Sequence, residues 1–120
     1  MKRASVIMFS AAALAQFFGV VSAVQAAPDD AAVLLREGKG LAETHCSTCH
    51  AIGKSGEGAL KEAPPFRTLG QKYEIDNLQE ALAEGISVGH PDMPQFEFSP
   101  QESDALIAYL KSIQPPAKVH

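Results

Sequence analysis

The sequence predicts a small all-α domain built from three main helices. Apolar residues recur at helical spacing in three separate stretches, capping residues precede these stretches, and no stretch alternates apolar and polar residues as a half-buried strand does. The chain has 120 residues, which suits one domain and excludes a two-domain enzyme.

Residues 1–26 are expected to be a secretory signal peptide. Lys2 and Arg3 precede an uncharged stretch from 4 to 27, and Val24-Gln25-Ala26 has the small residues of a cleavage site. The alternative is an uncleaved anchor, because the uncharged stretch is long enough to span a bilayer, but its interspersed serines and glutamines favour cleavage. The exported remainder carries eight basic and fourteen acidic residues, a net charge of −6, and no membrane insertion is expected after cleavage.

The first helix is predicted to begin at Asp29 or Asp30 as its N-cap and to continue through Leu41. Gly38 and Gly40 lower the helix propensity of this stretch, which suggests that another helix crosses closely there.

The middle of the chain is predicted to hold one short helix. Residues 53–72 are rich in glycine and proline and are expected to form a loop. Asp76 with Gln79 three residues later has the spacing of a capping box, and Gly85 is the expected stop.

The third helix has the clearest boundaries. Ser99 is the expected N-cap, Pro100 takes the first helical position, Glu102 completes a capping box, and Pro115 with Pro116 ends the helix. Its apolar face is formed by Leu106, Tyr109, Leu110 and Ile113.

The two cysteines lie in a C-x-x-C-H sequence, as Cys46, Cys49 and His50. On a helical turn, positions i, i+3 and i+4 share one face. Two thiols on that face can add to the two vinyl groups of a haem while the imidazole reaches the iron. A covalent haem would also stabilise a domain too small to bury a large core of its own. The motif therefore predicts one covalently attached haem c.

Three other interpretations of the cysteines are weaker. A redox-active disulfide would follow a strand of a βαβ unit, and no such strand is predicted. A zinc site needs two further ligands, and none of the four histidines, His45, His50, His90 and His120, has suitable spacing. A structural disulfide would close a very small loop and stabilise little. His45 and His120 are expected to be solvated.

Met93 is the predicted second axial ligand. It is the only methionine left after signal removal, and it lies 43 residues after the histidine of the motif. Pro91 and Pro94 restrict the backbone on either side, which favours an ordered loop around a weakly binding thioether. The alternatives are that Met93 only fills a gap in the core, or that His90 is the ligand.

These features resemble the class I (monohaem) cytochrome c family. The resemblance covers residues 38–113 and rests on features in a fixed order: a glycine eight residues before the first cysteine, C-x-x-C-H, Pro64 and Phe66 after a glycine-rich loop, a short middle helix, Met93-Pro94, and a closing Ala108-Tyr109-Leu110 helix. It implies a domain at residues 27–120 with three helices packed around the haem.

The resemblance also implies roles for individual residues. Cys46 and Cys49 would carry the thioethers, His50 and Met93 would be the axial ligands, and the carbonyl of Pro64 would accept a hydrogen bond from the imidazole.

The resemblance implies one further helix contact, and the chain departs from the family pattern in two features. Gly38 and Tyr109 would meet where the first and last helices cross. Family members often have an aromatic residue where this chain has Ala42. They often also have a tryptophan near the propionates, whereas this chain has no tryptophan. Arg67 and Tyr73 are the available substitutes for the propionate contacts.

Two protein ligands on the iron leave no position for a substrate, so we expect a periplasmic one-electron carrier and not an enzyme. Its expected donors are a dehydrogenase or cytochrome complex, and its acceptors an oxidase or peroxidase, since thioether ligation raises the potential. The alternatives are an electron-accepting subunit of a periplasmic dehydrogenase, or a haem enzyme or gas sensor in which Met93 leaves the iron.

The charge is unevenly distributed along the chain. Residues 50–72 carry a net charge of +2 and residues 73–114 one of −7. The basic stretch could steer an acidic partner, or both stretches could simply be solvated. The acidic total argues against nucleic acid as a partner.

Overall fold

The computed structural model describes residues 29–85 and 92–116, and within them the protein is all-α without any strand. The predicted signal peptide, His90 and His120 lie outside these residues. The three α-helices are α1 (Asp30–His45), α2 (Leu78–Glu84) and α3 (Pro100–Ser112), and short 3₁₀ helices occupy Phe66–Gln71 and Ile75–Asn77.

Helix α1 begins where the sequence predicts. Asp29 is the N-cap, and its carboxylate accepts a hydrogen bond from the backbone N–H of Ala31 at 3.3 Å. This side chain satisfies one of the backbone donors that a helix leaves free at its first turn. The helix ends at His45, directly before the first cysteine.

The close crossing of α1 and α3 is the main packing contact of the domain. A Cβ atom added to Gly38 would lie 2.6 Å from the carbonyl carbon of Ala105 and 2.8 Å from Cβ of Tyr109, so only glycine fits this backbone approach. The predicted crossing is therefore confirmed for Gly38. It is wrong for Gly40, around which an added Cβ would meet nothing within 4 Å. The nearby Ala42 is fully buried, so no space remains there for an aromatic side chain.

Helix α3 confirms both the predicted cap and the predicted apolar face. The Ser99 hydroxyl accepts from the Glu102 backbone N–H at 3.3 Å, and the Glu102 carboxylate accepts from the Ser99 N–H at 2.9 Å. All four predicted apolar positions, Leu106, Tyr109, Leu110 and Ile113, are buried in the core together with Ala42, Phe66, Ile75, Phe98 and Ile107.

The middle of the chain differs from the prediction in two respects. Part of the expected loop forms the 3₁₀ helix Phe66–Gln71, and the capping box at Asp76 does not form. Asp76 lies in the second 3₁₀ helix, where its carboxylate pairs with Lys111 of α3 at 2.9 Å, and Gln79 donates to Asp104. Long-range partners thus replace the local cap. Gly85 ends α2, as predicted, with a φ of +93°, a positive value that glycine adopts without strain.

Gln114 joins the 3₁₀ helix Phe66–Gln71 to the end of α3. Its side-chain amide donates to the carbonyls of Phe66 at 2.9 Å and Leu110 at 2.8 Å, and its side-chain oxygen accepts from the N–H of Gly70 at 2.9 Å. One side chain therefore links three backbone groups of two elements. Among residues 29–85 and 92–116, no helix has both the length and the hydrophobicity needed to cross a membrane.

Candidate cofactor site

The cysteine motif continues the helical geometry of α1 for one more turn. The backbone N–H of Cys46 donates to Ala42 at 2.9 Å, that of Cys49 to Cys46 at 3.2 Å, and that of His50 to Cys46 at 2.9 Å. The two cysteines and the histidine therefore follow one another around a single turn, as the i, i+3, i+4 spacing predicts. The two cysteines form no disulfide bond with each other.

The imidazole of His50 is held through one of its two ring nitrogens. Nδ1 lies 2.8 Å from the carbonyl oxygen of Pro64, the contact that the family resemblance implies. Because a carbonyl can only accept, Nδ1 carries the proton and Nε2 keeps its lone pair for a metal. The ring also packs against Phe66, with 5.0 Å between ring centroids. The orientation of His50 is thus set by a hydrogen bond and by a neighbouring aromatic ring.

Gly58, which no sequence pattern identified as a site residue, packs against the backbone of the cysteine motif. A Cβ atom added to Gly58 would lie 2.8 Å from the backbone nitrogen of Ala51 and 3.0 Å from the carbonyl carbon of His50. In the same loop, the backbone N–H of Leu60 donates a hydrogen bond to the carbonyl of Cys49 at 3.2 Å. The glycine-rich composition predicted a loop here, but this approach to the motif depends on contacts that composition does not reveal.

Cys46 is the more protected of the two thiols. It packs against the hydrophobic core, and burial raises the pKa of its thiol from 9.0 to about 11. Burial raises a thiol pKa because the charged thiolate loses hydration. Cys46 therefore lies at an apolar boundary, which suits a large hydrophobic cofactor.

Arg67 provides an independent test of whether a haem fits these residues. Its Nη1 atom is buried, and within the described parts of the chain it has no hydrogen-bond partner. A buried, unpartnered guanidinium nitrogen is costly unless an acceptor satisfies it, and a propionate is such an acceptor. The residues present therefore fit a haem. Tyr73 is 53% exposed, and its predicted propionate contact stays a prediction.

The segment that carries Met93 runs beside the motif. Met93 is half-buried, and three residues later Phe96 packs its ring against His45, with centroids 5.3 Å apart. Three residues span at most about 11 Å, so the backbone of Met93 lies within that distance of Phe96, which contacts the residue before the first cysteine. His45 is exposed, as predicted, but it is not merely solvated, because its ring contacts both Phe96 and Phe98.

Across the described residues, no group of three or more His, Cys, Asp or Glu side chains is arranged to hold a metal ion. The helical turn with its two cysteines, the oriented imidazole and the buried guanidinium nitrogen of Arg67 instead define a small all-α protein that binds haem covalently. In agreement, the family model for cytochrome c matches residues 35–114, two thirds of the chain, and the protein belongs to the cytochrome c family. It is therefore a haem-binding electron carrier with covalently attached haem c. Among curated proteins, no sequence matches the chain significantly.

Proposed function

We propose that this cytochrome c is a periplasmic one-electron carrier with His50 and Met93 as axial ligands and with thioethers to Cys46 and Cys49. The observation that carries the proposal is the 2.8 Å contact between Nδ1 of His50 and the carbonyl of Pro64. It leaves Nε2 as the single basic nitrogen of the ring and fixes the ring plane. When bound, the haem supplies reversible one-electron chemistry at its iron.

The position of Met93 supports its role as the second ligand. Its segment is anchored on the core side by Phe98, which is buried and whose N–H donates to the carbonyl of Leu82 at 3.0 Å. Pro94 restricts the backbone directly after Met93. A weak thioether ligand is retained best when the loop that carries it is ordered in advance, because less conformational entropy is then lost on binding.

The charge distribution supports a proposed partner class. The basic stretch 50–72 contains the loop that packs on the motif, whereas the acidic stretch 73–114 contains α2 and α3. We propose that redox partners approach the basic side and are themselves acidic there, which would make electron transfer slower at high salt. Export to the periplasm is proposed from the charge-free N-terminal segment and its Val24-Gln25-Ala26 ending.

The ligation is tested by optical spectroscopy of the haem-loaded protein. We expect a weak far-red band in the oxidised state and poor binding of carbon monoxide in the reduced state near neutral pH. Met93→Ala should remove the band, admit carbon monoxide and lower the potential. The control is His90→Ala, which should change none of these. Ready binding of carbon monoxide by the unmutated protein, with no change in Met93→Ala, would contradict the proposal and favour a haem enzyme or gas sensor.

The thioethers and the export are tested separately. After denaturing electrophoresis, haem staining should travel with the chain and should be lost when Cys46 and Cys49 are both changed to alanine. Mass spectrometry of the exported protein should give a chain that begins at Ala27 and carries one haem. An intact Met1 in a membrane fraction would instead show an uncleaved anchor. Co-purification with a dehydrogenase at fixed stoichiometry would identify the protein as a subunit of that enzyme.

A further inference from the structure

Three aromatic side chains meet where the end of α1 faces the Met93 segment. The ring centroid of His45 lies 5.3 Å from that of Phe96 and 5.5 Å from that of Phe98, and the two phenylalanine rings are 5.9 Å apart. The interplanar angles at His45 are 60° and 74°. Tilted and edge-on arrangements at these distances are the favourable ones for aromatic pairs. His45, Phe96 and Phe98 are called the aromatic cluster below.

The members of the aromatic cluster are fixed to different degrees. Phe98 is buried in the core and is tied to α2 by the backbone hydrogen bond to Leu82, so it is held independently of His45. Phe96 is only half-buried and packs against the edge of the core, and its aromatic contacts are with His45 and Phe98. Phe96 is also the member nearest to Met93 along the sequence, three residues after it. Loss of the His45 ring should therefore loosen Phe96 more than Phe98.

His45 is placed so that the cluster connects the two parts of the site. It is the last residue of α1 and precedes Cys46, whereas Phe96 follows Met93 by three residues. Pro94 lies between Met93 and Phe96 and fixes one of the backbone dihedral angles that separate them, which reduces how much of a displacement of Phe96 the backbone can absorb before Met93 moves. The contact thus ties the methionine segment to the cysteine motif from outside the core.

We propose that His45 is a positioning residue, whose ring holds Phe96 and thereby keeps Met93 close to the cysteine motif. This inference rests on the proposed ligation by Met93. It assigns to the exposed residue before the first cysteine a role in keeping the methionine segment closed.

The test measures how easily imidazole replaces Met93 in the oxidised, haem-loaded protein. An added ligand binds only the conformers in which the methionine segment is open, so its apparent affinity reports their population. His45→Ala should tighten imidazole binding by roughly three- to tenfold, the factor that corresponds to one aromatic contact. His45→Phe restores an aromatic ring and should return the affinity towards the original value. Thr44→Ala is the matched control, since Thr44 is exposed and, in the described part of the chain, its hydroxyl bonds only to Gly40 of the same helix.

A second variant removes the same contact from the other side. Phe96→Leu should tighten imidazole binding to a similar degree, and adding His45→Ala to it should have little further effect, because the contact is already lost. A purely structural effect would lower the stability of the whole protein without favouring imidazole. The free energy of unfolding in urea is therefore measured alongside for every variant.

The outcomes separate this inference from the proposed function. If the unmutated protein lacks the far-red band and binds imidazole as tightly as Met93→Ala does, both the proposed ligation by Met93 and the proposed role of His45 are overturned. If the band is present and both His45→Ala and Phe96→Leu bind imidazole like the unmutated protein, only the role of His45 is overturned. Unequal imidazole affinities for His45→Phe and the unmutated protein, with His45→Phe resembling His45→Ala, would also overturn it.

Discussion

Replacing Gly38 with alanine tests the helix crossing on which the domain depends. The new Cβ would lie 2.6 Å from the carbonyl carbon of Ala105 and 2.8 Å from Cβ of Tyr109. Carbon atoms normally approach each other to about 3.5–4.0 Å, so α1 and α3 would have to separate by about 1 Å. The atoms in the way belong to backbone and to a Cβ, and neither can rotate aside. The clash must therefore be relieved by moving a helix.

The size of the effect follows from two opposing terms. Overpacking a core costs about 1–3 kcal/mol, and a clash with backbone belongs at the upper end of that range. Alanine in place of glycine inside a helix returns up to about 1 kcal/mol of helix propensity. We therefore expect Gly38→Ala to lower the free energy of unfolding by about 2 kcal/mol, which in a domain of this size corresponds to a fall in Tm of roughly 8–16 °C.

Gly40→Ala is the matched control, two residues further along the same helix. An added Cβ meets nothing within 4 Å there, so only the propensity term remains. We expect Gly40→Ala to raise the stability by about 0.5–1 kcal/mol. Urea unfolding of the haem-loaded proteins, followed by far-UV circular dichroism, measures both. Equal effects of the two substitutions would refute the close crossing at Gly38.

Three further predictions concern hydrogen bonds of α3. Ser99→Ala should cost about 1 kcal/mol in urea unfolding, because the hydroxyl caps the helix, and an unchanged midpoint would argue against the cap. Hydrogen bonds from the backbone and, to a smaller extent, the side chain of Ser99 lower the pKa of Glu102. The stabilisation by Glu102 is therefore present above its unfolded pKa and is lost as the pH falls through the lower folded pKa. Glu102→Gln should flatten this acid dependence of the free energy of unfolding, and parallel stability curves for the two proteins would contradict the assignment. Tyr109→Phe removes the 2.9 Å bond from the hydroxyl to the carbonyl of Ile52 and should cost about 1 kcal/mol by thermal unfolding, whereas no loss would mean that water replaces the bond.

The two capping boxes of the sequence show what could be predicted and what could not. Ser99 and Glu102 form theirs, and within residues 29–85 and 92–116 no other side chain hydrogen-bonds to them. Asp76 and Gln79 have the same spacing, yet Lys111 and Asp104 of α3 take their side chains instead. The spacing is a local signal, and these partners lie 35 and 25 residues away along the chain. A single sequence without tertiary contacts cannot reveal such competition.

The same distinction applies to the site. The C-x-x-C-H turn is local, so its helical geometry followed from the spacing alone. The contact of His50 with Pro64, 14 residues away, came only from the family resemblance. The packing of Gly58 against the motif and the aromatic cluster at His45 were not predicted from the sequence. Each depends on how a segment distant in sequence packs against the end of α1. No pattern of neighbouring residues encodes that packing.

The three hydrogen bonds of Gln114 have a practical consequence for where the chain can be cut or extended. The family match ends at this same residue, and Pro115 and Pro116, which follow it, are exposed. A tag or a fused protein attached after Pro116 should leave the domain intact. Trimming the chain back to Ile113, one residue beyond the last turn of α3, should release both the 3₁₀ helix Phe66–Gln71 and the carbonyl end of α3. The useful C-terminal boundary for engineering is therefore set by one amide side chain.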